Sequence, residues 1–202
     1  MKYHLHSHPI NYGSGSGQQA VTALKSDTDT GSLWTVKETD GSPMCLTGDT
    51  IMCGDSVRLE HMNTGKNLHS HSFKSPVSGR QEVSGYGENG EGDSSDNWIL
   101  ECHNSNEGDD VTGNSQFYIK HQSSGQYLYT DKSSLYNDQN CRNCPIIGQS
   151  EISTGPSKSA GALWQIVSGY FYTPNKIEGF EEMDDDNMGD VYEDDYDEKE
   201  DL

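Results

Sequence analysis

The residues best able to do chemistry in this chain are its histidines and cysteines, and their spacing limits what that chemistry can be. His4, His6 and His8 alternate, as do His69 and His71. In an extended strand alternation places each set on one face, as a metal site would require. Yet Ser7 and Ser70 stand between them inside the same Leu-His-Ser-His tetrapeptide, found at 5–8 and again at 68–71. A motif that repeats with its serine points to imidazoles that hydrogen-bond neighbouring backbone or face a ligand, so no bound metal and no cofactor is expected.

The cysteines allow more than one reading. Cys45 and Cys53 flank Leu-Thr-Gly-Asp-Thr-Ile-Met. They could meet across a hairpin, where a disulfide closing so short a loop would contribute roughly 2–3 kcal/mol, or stand as two free buried thiols. Five cysteines leave one over, so connectivity stays open. Cys141 and Cys144 form Cys-Arg-Asn-Cys, the spacing of a redox or zinc half-site. Zinc needs a second pair, and a thioredoxin motif sits at a helix start after a strand. Here the context is an Asn-rich loop, so the expectation is a local disulfide or loop thiols.

Other reactive patterns are incomplete. Residues 85–96, GYGENGEGDSSD, lack the ordered carboxylates and closing Glu of a calcium loop and read as an ordinary surface loop. Serine and histidine are plentiful, but GxSxG, HExxH and a phosphate-binding glycine loop are all missing. No catalytic residues are assigned, and the chain is expected not to be an enzyme.

The elements that must position these residues come from a repeat. GQQAV at 17–21, GRQEV at 79–83 and GQSEI at 148–152 answer one another, and LYTD at 128–131 is a degenerate third copy of the histidine tetrapeptide. Each copy closes on a tryptophan, and Trp34, Trp98 and Trp164 fall 64 and 66 residues apart. A unit of this length holds about four strands and their turns, and three of them suit a closed three-fold arrangement. Strands are expected at 20–25, 32–38, 56–62, 98–102 and 116–122, with 165–167 and Tyr170, Phe171 and Tyr172 completing a barrel. The first copy has no residues before Lys2 to supply its opening strand, which is expected upstream. PINYGSGS at 9–16 must be a loop.

Composition sets the class. A chain of 202 residues has room for one domain and a tail, and 30% hydrophobic content with many Gly, Ser and Asn turns reads as all-β. The formal charge of −20 is uneven: from Glu178 onward there are 14 acids and one base, Lys199. Such a chain repels phosphate backbones and anionic lipid, which excludes nucleic acid as a partner, and no run of eighteen apolar residues or signal peptide is seen, so no membrane insertion is expected. The stretch 175–202 cannot pack and is expected to be an acidic disordered tail.

The tetrapeptide, the loop YGSGSGQQAVT, the run TGKNLHSHSFKSPVSGRQEVSGYGENGEGD and the strand NWIL together resemble the stromal cell-derived factor 2 family of MIR-domain proteins. The likeness runs from about Lys2 to Pro174. It implies a β-trefoil of three MIR repeats over 1–174, each four-stranded, with six strands in a short barrel and six in hairpins capping one end. It also implies a place in the endoplasmic reticulum lumen and a non-enzymatic adaptor or co-chaperone role in protein quality control. The implied partners are a J-domain co-chaperone, a lumenal heat-shock chaperone and misfolded clients whose O-mannosylation it modulates. Beside that stands a carbohydrate-binding module recognising glycans or mannosylated protein. Candidate contacts for either are Tyr12, Gln19, His69, His71, Phe73, Gln81 and Tyr136, with Tyr12, Phe73 and Tyr136 offering one exposed aromatic in each copy. The ending Lys199, Glu200, Asp201 and Leu202 permutes the KDEL retrieval signal. Three things depart from the family pattern: the opening strand of the first copy and a signal peptide are not seen, CRNC is inserted where the family has a turn-rich loop, and the tail is more acidic.

Overall fold

A computed structural model describes residues 3–46 and 48–169. Among these are eleven strands: β1 His4–Asn11, β2 Gln19–Leu24, β3 Trp34–Lys37, β4 Ser56–His61, β5 Lys66–Lys74, β6 Gln81–Tyr86, β7 Trp98–Cys102, β8 Gln116–His121, β9 Tyr127–Leu135, β10 Ser150–Gly155 and β11 Leu163–Gln165. The strands expected at 20–25, 56–62, 98–102 and 116–122 are found within a residue or so, and that at 32–38 is shortened to β3. No helix of the described residues is long and apolar enough to cross a membrane.

Two turns show how sequence becomes local structure. After β4 and after β8 the chain reverses through His-x-x-x-Gly, and Gly65 and Gly125 donate their amides back to the His61 and His121 carbonyls at 2.9 and 2.8 Å. Both glycines take φ near +65° (63° and 68°), a conformation that a side chain disfavours. Each histidine then ties its own turn: His61 Nδ1 lies 2.8 Å from Thr64 Oγ1, and His121 Nδ1 lies 2.9 Å from Ser124 Oγ.

All the strand pairings are antiparallel, and they close. Going round, β4 pairs β7, β7 pairs β8, β8 pairs β9, β9 pairs β10, β10 pairs β2, β2 pairs β6, β6 pairs β5 and β5 pairs β4. This is a closed eight-stranded barrel, with β1 attached to β2, β3 to β4 and β11 to β8. The expectation of a β-trefoil, with three equivalent four-stranded units split into six barrel and six capping strands, is therefore corrected. Pairing is made by backbone groups that carry no mark of the repeat, and the copies are unequal: β7 pairs with β8 over five residues, whereas β11 reaches only three.

The three copies persist as local fastenings. Trp34, Trp98 and Trp164 each donate Nε1–H to a leucine carbonyl, those of Leu5, Leu68 and Leu128, at 3.0, 2.8 and 3.0 Å. Around them Val57, Leu59, Leu68, Val83, Leu100 and Ile119 fill the barrel interior, each contributing roughly 1.5–3 kcal/mol by leaving water. A second, smaller cluster gathers Tyr12, Ala20, Tyr136 and Ile146 beneath the loops, with Val77, Cys141 and Cys144 packed on it.

Neither reading of Cys45 and Cys53, a shared disulfide or two free buried thiols, holds. Cys53 bonds Cys102, at a sequence separation of 49, and Cys45 is exposed and free. Among the described residues no strand pairing joins Cys45 to Cys53. Instead the Gly54 amide donates to the Leu100 carbonyl (2.7 Å) and the Leu100 amide to that of Asp55 (2.9 Å), which lays Cys53 beside the end of β7. Cys141 and Cys144 do form the local disulfide. Tyr170, Phe171 and Tyr172, the acidic tail at 175–202 and the ending at Lys199, Glu200, Asp201 and Leu202 lie outside the described residues.

Candidate functional site

The β5–β6 hairpin holds four of the seven candidate contacts. Alternation along β5 sets His69, His71 and Phe73 on one face, and the strand register brings Tyr86 of β6 opposite Asn67. The rings form a continuous ladder: Tyr86 to His69 4.5 Å, His69 to His71 4.9 Å and His71 to Phe73 4.7 Å between centroids. The register between the two strands shifts between Ser70 and Lys74, and there the face opens outward, leaving Phe73 49% exposed.

Why the serine and glutamine repeat is now visible. Ser70 Oγ donates to the Glu82 carbonyl at 2.7 Å and accepts from Gln81 Nε2 at 2.8 Å. Ser7 Oγ does the same with the Ala20 carbonyl (2.9 Å) and Gln19 Nε2 (2.8 Å), and Gln19 also reaches Thr64 Oγ1 at 2.9 Å. Gln19 and Gln81 are latches between strands. Tyr12 and Tyr136 are interior residues, 7% and 2% exposed, so the expected exposed aromatic in each copy survives only at Phe73. Tyr12 accepts from the Val21 amide at 3.1 Å and donates to its carbonyl at 2.9 Å; burial pushes both phenols well above their ordinary titration range. A loop rich in Gly and Ser suggested exposure, but the tyrosine in it is what pins the loop down.

Carboxylates support the ladder from beneath. His69 Nδ1 lies 2.8 Å from Asp96 Oδ1, and Asp93, His69 and Asp96 stand within 4.8 Å of one another. Asp96 is fully buried, and its other oxygen accepts from the Asp93 amide (2.9 Å) and Asn67 Nδ2 (3.1 Å). One oxygen closes the capping turn at Ser94–Asp96 and the other faces His69, so both already have partners within the protein and the grouping acts as a structural clasp. His71 Nε2 reaches Glu82 Oε1 at 3.5 Å, and the same buried carboxylate accepts from the amide (3.4 Å) and hydroxyl of Ser16. Glu151 accepts from the amides of Val77 (2.6 Å) and Ser78 (3.0 Å) in the same way. Each carboxylate thus anchors the loop of the preceding copy.

Two open clefts lie among the described residues. One of about 450 Å³ runs beside Tyr86 and is lined by Asn11, Gln18, Lys66 and Glu88. The other, of about 530 Å³, lies in the third copy between Tyr3, Tyr129, Asp131, Trp164 and Gln165. There Tyr129 donates to Asp131 Oδ2 at 2.9 Å, and the Arg80 guanidinium lies 4.2 Å from the Tyr129 ring centre. The Ser133 amide, the Tyr129 hydroxyl and the Ser133 hydroxyl hold the Asp131 carboxyl below its ordinary range. Sequence reasoning passed over this cleft because LYTD read as a worn copy of LHSH. Its signal was the replacement of both histidines by a tyrosine and an aspartate.

Burial lowers the titration of His6, His8, His61 and His121, and the Nε2 atoms of His61 and His121 sit 3.0 Å from the carbonyls of Gly31 and Ser95.

Comparison with known proteins follows the same residues. The MIR domain family model matches residues 4–154. Stromal cell-derived factor 2 of Homo sapiens is 40% identical over 173 residues, covering 86% of this chain and 76% of that protein. A stromal cell-derived factor 2-like protein of Dictyostelium discoideum is 42% identical, covering 84% and 77%. The crystal structure of the SDF2-like protein from Arabidopsis thaliana superposes with a TM-score of 0.78 at 34% identity, over 87% of this chain and 92% of that one. The S. cerevisiae protein O-mannosyltransferase Pmt1-Pmt2 complex bound to the sugar donor gives 0.65 at 31%, over 80% of this chain but 22% of the matched chain.

Proposed function

We propose, from the premise that this chain belongs to the stromal cell-derived factor 2 family of MIR-domain proteins, that it is a non-enzymatic adaptor of protein folding in the endoplasmic reticulum lumen. Its partners are a J-domain co-chaperone, a lumenal heat-shock chaperone and misfolded clients whose O-mannosylation it modulates. The observation that carries this reading is the likeness to an O-mannosyltransferase complex over 22% of the matched chain: what is shared is a module of that assembly, not the whole of it. The Tyr86–His69–His71–Phe73 ladder supplies the surface, since an exposed aromatic edge above a rigid hairpin is the composition of a protein-binding patch. The acidic sequence beyond residue 177 keeps complexes soluble, and its last four residues serve retrieval.

A pull-down from lumenal extract with the full chain tests the adaptor role. Recovery of both chaperones, reduced by Phe73→Ala, is the expected result. Recovery of neither, under conditions where a known adaptor retains both, defeats it.

A second reading is favoured by the cleft at Tyr129, Asp131 and Trp164 and by the ladder, because aromatic faces beside carboxylates can take the C–H face and the hydroxyls of a sugar ring. Glycan-array binding that His71→Ala abolishes would establish it. A blank array from well-folded protein would remove it.

A further inference from the structure

The two disulfides differ in a way that neither reading above uses. We propose that the Cys141–Cys144 disulfide is an exchangeable redox pair, which takes two electrons from accessible dithiols of partly folded proteins. The proposal does not depend on the chaperone partners or on sugar binding.

The loop that carries the pair is held without it. Its base is closed by the Tyr136 amide on the Gln149 carbonyl (3.0 Å) and the Gly148 amide on that of Tyr136 (2.8 Å). Within it, the Cys141 amide donates to the Asn137 carbonyl at 2.8 Å and the Asn140 side chain to that of Leu135 at 2.9 Å. Tyr136 and Ile146, both buried, fix it to the small cluster below. Breaking the sulfur bond therefore leaves the loop in place, and a sequence separation of 3 constrains the unfolded chain little.

Access and charge suit the chemistry. Cys141, Cys144 and Cys102 are each half-buried, but the other disulfide has one sulfur-bearing residue in the interior, Cys53 at 3% exposure, and the Cys141–Cys144 pair has none. Arg142, exposed, lies between the two cysteines in sequence and puts a positive charge in the same tetrapeptide, in a chain of net charge −20. Ile147, 44% exposed and three residues after Cys144, offers an apolar rest for an unfolded segment.

The exchange balances. A client thiolate attacks one of the two sulfurs, breaking the Sγ–Sγ bond, forming a mixed disulfide and releasing the other cysteine as a thiolate. The client's second thiolate then attacks its own sulfur in the mixed disulfide and expels the remaining cysteine. The client leaves with a disulfide, and the two protons lost by its thiols end on Cys141 and Cys144. Reoxidation by a small disulfide such as oxidised glutathione restores the pair.

The test uses the full chain in a Cys45→Ser background, so that the free thiol takes no part, with a synthetic reduced peptide carrying two cysteines. Alkylation and mass measurement should find one peptide disulfide formed and two new thiols, at Cys141 and Cys144, per chain. Cys141→Ser with Cys144→Ser should slow peptide oxidation at least tenfold while leaving the near-UV circular dichroism unchanged. With a one-cysteine peptide the same parent chain should accumulate, after acid quench, a mixed disulfide at one cysteine of the pair with the other released as a free thiol. The proposal is overturned if the native chain leaves the peptide reduced while unfolded chain oxidises it, or if the doubly substituted chain oxidises it as fast as the parent.

Discussion

The barrel interior and the loop-bearing cluster around Tyr12 and Tyr136 are built on opposite principles. The barrel is apolar, closed by backbone pairing, fastened by three indoles and sewn by Cys53–Cys102. The cluster is small and gains its order from buried polar groups, Glu82 and Glu151 receiving loop amides and Tyr12 receiving a strand amide. In the barrel, order comes from area and sequence distance; under the loops it comes from satisfied hydrogen bonds, which cost more to leave broken than they contribute when made. The exposed chemistry, including the aromatic ladder, stands on the second kind of ground.

The strongest way to break this contrast is Trp98→Ala. Trp98 is fully buried and loses both its packing and its bond to the Leu68 carbonyl, so about 3–5 kcal/mol should be lost in denaturant unfolding. If Glu82→Ala costs as much, the two regions do not differ. The disulfides sharpen the comparison. Replacing Cys53 and Cys102 by serine should cost about 4 kcal/mol in the loop-entropy picture, against about 2 kcal/mol or less for Cys141 and Cys144, because the first joins positions 49 apart and the second positions 3 apart. Equal shifts in the urea midpoint would refute that account.

How much of this could be read from sequence follows the same division. The tryptophan spacing, the Leu-His-Ser-His strands and β2, β4, β7 and β8 were legible, because alternation and repetition are side-chain properties. Closure into an eight-stranded barrel was not, since it rests on which backbone groups meet, and neither was Cys53–Cys102, which needs the Gly54–Leu100 pairing to bring its sulfurs together. Of the candidate contacts, His71 is half-buried and Phe73 exposed, while Tyr12, Gln19, His69 and Tyr136 are interior. A Gly-Ser loop carries no sign of the tyrosine anchoring it, and LYTD concealed the cleft at Tyr129 by looking like decay.

Glu82→Ala tests the polar side directly. It strips the half-buried Ser16 amide and hydroxyl of their acceptor, an expected loss of about 1–3 kcal/mol with the barrel's own transition unaltered in cooperativity. Glu82→Gln, which keeps an acceptor, should recover part of it. A drop below a few tenths would mean the clasp is ornamental.

Acid should act on both regions through one kind of residue. Burial lowers the titration of His6, His8, His61 and His121, so the unfolded chain binds protons more readily than the folded one. Their contribution is complete above the ordinary histidine value near 6.5 and is lost as pH falls below it, by at most about 1.4 kcal/mol per group and pH unit. Glu38, Glu101 and Asp131, held low, lose theirs only in more acid solution, below the ordinary carboxylate values near 4.5 and 3.8. Thermal midpoints should therefore decline between pH 6.5 and 5, and less so in His61→Gln with His121→Gln once each is referred to its own value at pH 7. A flat profile across that window contradicts the sign.

The smallest expected effect is the most informative about function. Phe73 is half-exposed at the outer end of the ladder, where the register between β5 and β6 shifts, and it fills no interior space. Phe73→Ala should change stability by less than about 0.5 kcal/mol, yet it removes the apolar end of the one surface in the second copy that couples rings to buried carboxylates. Partner or glycan capture that falls while the unfolding curve stays put would assign the ladder to binding. Capture that survives Phe73→Ala but is lost on Asp131→Ala would move the site to the cleft of the third copy, where the tyrosine and aspartate stand in place of the two histidines.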